Sequence, residues 1–208
     1  MEFASEMVVR AALAGYRLDE VPTTLNKDGR SGQPHLRTWR DGWRHLSLLL
    51  MYSPNWLFLY PGMFLILLGF FTAFMLLPGY VRVGNIAFDI HTFTVACVAT
   101  LVGVQAISFA AVARRFATAH KLIPPPRRFL GILDALTPDR ALITAAILSI
   151  TGFTGLVWCT LQWAATGFGP LEYSQLLRTL ILSLTAIAIG VQLALTAFLS
   201  AIIEIPTR

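Results

Sequence analysis

Four long apolar stretches limit what this chain can fold into. They run from Trp56 to Leu77, His91 to Ala113, Ala141 to Ala165 and Leu176 to Ile203. Each offers roughly 20 or more largely apolar residues, which at about 1.5 Å rise per residue suffice to cross a hydrocarbon core of about 30 Å. Only 13% of the residues are charged and 56% are hydrophobic, against a charged share of roughly a quarter in soluble proteins. The expected fold is therefore an all-α membrane protein with four transmembrane helices. No charge stands near the middle of any stretch, whereas a transport path usually keeps ionisable groups there. The small residues four apart therefore read as helix packing. They are Gly69 and Ala73, then Ala141, Ala145 and Ser149, then Ala186, Gly190 and Ala194. Gln105, Gln162 and Gln192 could bond across helices.

The distribution of charge predicts an orientation. Arg30, Arg37, Arg40 and Arg44 precede the first span, and Arg114, Arg115, Lys121, Arg127, Arg128 and Arg140 lie between the second and third. The other two loops are poor in basic residues, with Arg82 alone in the first. Basic loops stay on the cytoplasmic side, so both termini are expected there. The net charge of +5 sits beside oily spans, which points to anionic headgroups and phosphorylated substrates and away from nucleic acid. Cys97 and Cys159 fall inside apolar spans and read as small buried hydrophobes, with no metal-ligand spacing. His91 and His120 stand at membrane boundaries and read as structural. The first residues carry two glutamates and no apolar core segment, so no signal peptide is expected.

Two further segments read as lying in the membrane interface. In TWRDGWRHLSLLLMY, Trp39, Trp43, Leu46 and Leu50 share one helical face, and Arg40, Arg44 and Ser47 take the other. Such a helix would lie flat in the headgroup layer with its arginines against phosphate. In RRFLGILDAL, after Pro124, Pro125 and Pro126, the residues Phe129, Ile132, Leu133 and Leu136 again share a face.

The opening stretch, MEFASEMVVRAALAGYRLDEVPTTL, is different in kind. Phe3, Met7, Val8 and Ala11 repeat at helical spacing, and Gly15 supplies a stop. Val21 to Leu25 is β-branched and reads as extended. A lone strand leaves its backbone donors and acceptors unpaired, and one helix and one strand cannot form a core of their own. Membrane helices lend no sheet edge. Its partners are expected either from another chain or from sequence upstream of Met1, and the second reading is preferred. The boundaries follow: 1–30 as a remnant of an α/β domain, 31–53 as a basic loop and juxtamembrane amphipathic helix, and 54–208 as the transmembrane domain.

This order of short features resembles the end of the catalytic domain in family 2 glycosyltransferases of the dolichyl-phosphate mannosyltransferase type. The features are Phe3, Glu6, the apolar-basic run Met7 to Arg10, the turn Gly15 to Arg17, and Glu20-Val21-Pro22. The interfacial helix and the spans suit the polyprenyl-phosphate branch of that family. The resemblance implies transfer of a sugar from a nucleotide-sugar to a polyprenyl phosphate at the cytoplasmic face. It also implies a nucleotide-sugar domain holding a divalent metal, Mg or Mn, through an Asp-x-Asp motif. No Asp-x-Asp and no glycine-rich phosphate cradle occur in these residues, so the chain alone is expected to be inactive, with no catalytic residue and no metal ligand of its own.

The family's phosphate-holding loop after the Glu-Val-Pro strand corresponds here to NKDGRSGQPHLR. Its basic members are Lys27, Arg30, His35 and Arg37. Fixed positive charge suits transfer between two phosphate-bearing partners, and the arginine fork binds two oxygens at once. The loop departs from the family's Arg-x-x-Gly-x-Ser-Lys pattern, with Ser31-Gly32 transposed and no Ser-Lys following. Glu6 matches the acidic residue that the family places near the acceptor side.

Three functions fit these features. The first is the membrane anchor and lipid-acceptor platform of a polyprenyl-phosphate glycosyltransferase in a bacterial inner membrane. The others are a small four-helix glycolipid carrier or flippase, and a non-catalytic anchor subunit paired with a separate catalytic chain. Membrane lipid and polyprenyl phosphate are the expected small partners, and a homo-oligomer stays open.

Overall fold

A computed structural model describes residues 2–24, 39–44, 46, 55–119, 137–169 and 173–203. Helix α1 spans Glu2–Leu13. It closes on Gly15 at φ +78°, a left-handed conformation that glycine adopts without a Cβ clash. Tyr16 N–H donates to the Ala11 carbonyl at 3.1 Å and Gly15 N–H to that of Ala12 at 3.1 Å. That crossed pair is the Schellman closure, which satisfies carbonyls the helix end would otherwise leave open. The helix and its stop are thus where the sequence places them. The strand expected from Val21 onward is not formed: residues 16–24 are non-helical, unpaired with any strand among the described residues, and exposed.

Among the described residues four helices are long and apolar enough to cross a membrane: Asn55–Leu76, Ile90–Ala119, Pro138–Ala165 and Gln175–Ile203. The fourth begins two residues earlier, as Tyr173–Ile203. These match the expected spans closely, and the fold is the expected all-α membrane architecture. The largest departure is the second span. Its 30 residues rise about 45 Å, more than the hydrocarbon needs, so its last turns, with Arg114 and Arg115, project past the core. The first span opens with a π-helical turn, Asn55–Leu59, just before Pro61, whose ring cannot donate to the regular ladder. The third starts at Thr137, whose hydroxyl accepts from Arg140 N–H at 3.4 Å, with Pro138 in the first turn.

The spans pack in a row: first on second, second on fourth, fourth on third. Glycines set the closest approaches. A Cβ on Gly69 would stand 2.5 Å from the Ala96 carbonyl oxygen, and one on Gly190 would stand 2.8 Å from that of Ala145. Gly69, Ala145 and Gly190 therefore do the packing work read from their spacing. The amide reading fares differently. Gln192 Oε1 is buried with no hydrogen-bond partner among the described residues. Cys97 and Cys159 are free and buried.

The link between the first two spans holds a hairpin that the sequence reading passed over. Strand β1, Val81–Val83, pairs antiparallel with β2, Ile86–Phe88, through a two-residue Gly84-Asn85 turn. Gly84 has φ +61°, as a primed hairpin turn requires. Val81, Val83, Ile86 and Phe88 lie on one face, and Phe88 packs on the buried cluster of Leu76, Phe93 and Cys97.

Candidate functional site

The bundle has two unlike ends. One carries the hairpin. The other, the basic end, gathers Asn55, Ala119, Pro138 and Ile203, and with them Arg114, Arg115 and Arg140.

A cavity of about 80 Å³ opens between the spans toward the basic end. Its apolar walls include Ile66, Val104, Ile107 and Leu193, and Arg115 stands among the lining groups. The space exists because the residues meeting there are small. Ala111, Ala141 and Ala197 are buried, as are Ser108 and Ser200. A single water needs only about 10–15 Å³, so there is room for more, and a mainly apolar lining favours hydrocarbon over water. One of the lining hydroxyls is engaged within its own helix. Thr196 Oγ1 donates to the Gln192 carbonyl of its own helix at 2.7 Å, the usual way a membrane helix absorbs a threonine. The site can therefore hold a short apolar segment, with one half-buried guanidinium near it and a limited hydrogen-bonding lining.

The residues expected to act fall into three groups. Lys27, Arg30, His35 and Arg37 lie outside the described residues, as does the second amphipathic stretch at 127–136. Glu6 lies on α1 and accepts from Arg10 one turn on, at 2.7 Å, an intrahelical pair of the ordinary i, i+4 kind. The membrane-interface group is helical over 39–44. There Trp39 is 93% exposed and Trp43 67%, and Arg40 and Arg44 are exposed as well. Among the described residues no group of three or more His, Cys, Asp or Glu side chains comes together to hold a metal ion.

Sequence reasoning missed one pair altogether. Arg178, early in the fourth span, is 3% exposed and forms an ion pair with Asp89, the residue before the second span. Arg178 Nε is buried with no hydrogen-bond partner among the described residues. Gln175 Nε2 donates to the Pro78 carbonyl at 3.4 Å, beside the same loop. The signal was present: one arginine just inside an apolar stretch, and one aspartate at the start of another that opens on the same side.

Fold and site together define an integral membrane protein whose spans leave a mainly apolar cavity at a positively charged end. Residues 111–204 match the glycosyltransferase family 2 C-terminal transmembrane region. A low-salt glycan biosynthesis hexosyltransferase, Agl6, of Haloferax volcanii is 30% identical over 211 residues, covering 96% of this chain and 46% of that protein. The chain thus spans less than half the length of the curated relative it matches. No solved structure matches it. The two matches fit the C-terminal part of a family 2 glycosyltransferase.

Proposed function

We propose that this chain is the membrane-anchoring and lipid-acceptor side of a glycosyltransferase that moves a hexose from a nucleotide-sugar to a polyprenyl phosphate. The observation that carries this reading is the apolar cavity at the basic end. A polyprenyl phosphate is a branched hydrocarbon with an anionic head, and a mainly apolar space beside Arg115 suits both parts. Both termini face the cytoplasm, in the inner membrane if the source is a bacterium. The divalent metal, Mg or Mn, belongs with an Asp-x-Asp domain outside these residues.

What the chain's own groups contribute is placement. The spans hold the reacting domain at the bilayer surface, which replaces a search through solution by a short encounter in the plane. The helix at 39–44 sets its depth, with Trp39 and Trp43 in the headgroups. Arg30 and Arg37, with Lys27 and His35, steady the phosphates as charge develops on them. Glu6 lies toward the acceptor.

The test uses the complete protein in vesicles with a labelled nucleotide-hexose and a polyprenyl phosphate. Label should pass to the lipid. The double variant Arg30→Ala, Arg37→Ala should transfer much less while inserting in the membrane normally. Unaltered transfer by that variant removes the phosphate clamp, and no labelled lipid from the unaltered protein removes the acceptor.

A further inference from the structure

The second and fourth spans run in the same direction, and their contacts advance in step from the hairpin end. Asp89 pairs with Arg178. Ile181 packs on the cluster of Leu76, Phe93 and Cys97, and Cys97 reaches the Thr185 hydroxyl. Farther along, Ser108 and Ala111 of the second span line the cavity together with Thr196, Ala197 and Ser200 of the fourth.

The two ends of this seam are held differently. At the hairpin end large side chains interlock around Phe93, which is fully buried. Arg178 is sealed in beside them, and its charge is compensated by Asp89, whose side chain is 51% exposed. A guanidinium so buried is strongly tied to the Asp89 carboxylate, because separating them leaves a charge in a dry interior. At the cavity, small side chains and empty space give the spans little to grip.

We infer that the Asp89–Arg178 pair is a clasp that sets how closely the second and fourth spans approach, and through them the width of the cavity, about 30 Å away along the helices. Helices are stiff, so a seam gripped at one end and loose at the other responds at the loose end when the grip is released. The Gln175–Pro78 hydrogen bond ties the fourth span to the loop after the first span and supports the same closure. This goes beyond the acceptor reading, and its main test does not depend on it.

The experiment uses the full-length protein in nanodiscs, with Cys97 and Cys159 replaced by alanine and Ser200→Cys as a reporter. Ser200 is 3% exposed, so a membrane-impermeant maleimide should label the reporter slowly. Arg178→Met releases the clasp without stranding a charge, since Asp89 keeps its water. Labelling should then rise severalfold, up to about fivefold, as local opening becomes easier. A folded Arg178→Met protein with an unchanged labelling rate overturns the clasp. Should that variant not fold, the rate is read in Asp89→Asn, and no increase there has the same force. In the complete transferase, Arg178→Met should raise KM for the polyprenyl phosphate and leave kcat unchanged. If that lipid is no substrate at all, the acceptor reading fails while the labelling result still decides the clasp.

Discussion

The hairpin end and the basic end of this bundle solve opposite problems with the same kind of helix. At the hairpin end Leu76 and Phe93 fill the space between spans, and the buried guanidinium of Arg178 reaches out to a half-exposed Asp89. At the basic end alanine and serine meet, and about 80 Å³ stays empty. Hydrophobicity alone cannot distinguish the two, since lipid tails are as apolar as the side chains they touch. Side-chain volume makes the difference: one end is sealed, and the other is left able to take a guest.

The largest test of that contrast is the charge pair. Asp89→Ala should strand Arg178 and cost about 3–5 kcal/mol. Arg178→Met leaves Asp89 half in water and replaces the guanidinium with a side chain of similar length, so about 1 kcal/mol or less is expected. Thermal unfolding of both variants in nanodiscs ranks them. Equal losses would mean that water reaches Arg178 and that the end is not sealed.

Next comes the glycine contact in the first pair of spans. Gly69→Ala brings a Cβ to 2.5 Å from the Ala96 carbonyl oxygen, and the spans must part to admit it, at about 1–3 kcal/mol. Gly84→Ala at the hairpin tip meets nothing within 4 Å, and its whole cost is the φ of +61°, about 1–2 kcal/mol. If Gly84→Ala proved the more damaging, the hairpin and not the packed helices would dominate the stability of that end.

Some of this was legible in the sequence, for definite physical reasons. The spans could be read because a bilayer demands length and apolarity, and both are local. The α1 stop could be read because Gly15 does a job few other residues can. The roles of Gly69, Ala145 and Gly190 followed from spacing. The 81–88 hairpin was passed over although Gly84-Asn85 between two short apolar runs is a hairpin signal; three-residue strands are short enough to read as loop. Arg178 and Asp89 are 89 positions apart, and nothing local says that they meet. The cavity was least legible of all, since the same residue types, Ala and Ser, that mark tight packing in the third and fourth spans leave a gap at the basic end. Which of the two results depends on how the helices cross, a tertiary property.

The smallest expected effect is the one that tests this distinction most directly. Ala96 and Ala197 are both buried, at 4% and 2% exposure. Ala96 lies where Gly69 crosses, and Ala197 lines the cavity. Ala96→Val adds two methyl groups where no volume is free and should lose about 1–3 kcal/mol. Ala197→Val adds the same two methyl groups next to empty space, so its stability should change by less than about 1 kcal/mol. Yet Ala197→Val narrows the space proposed for the lipid, so it should weaken acceptor binding where Ala96→Val, if folded, should not. Unfolding midpoints compared with acceptor KM for the two variants separate volume needed for packing from volume kept for a ligand. If Ala197→Val is as destabilising as Ala96→Val, the basic end is packed as tightly as the other, and the contrast between the ends fails.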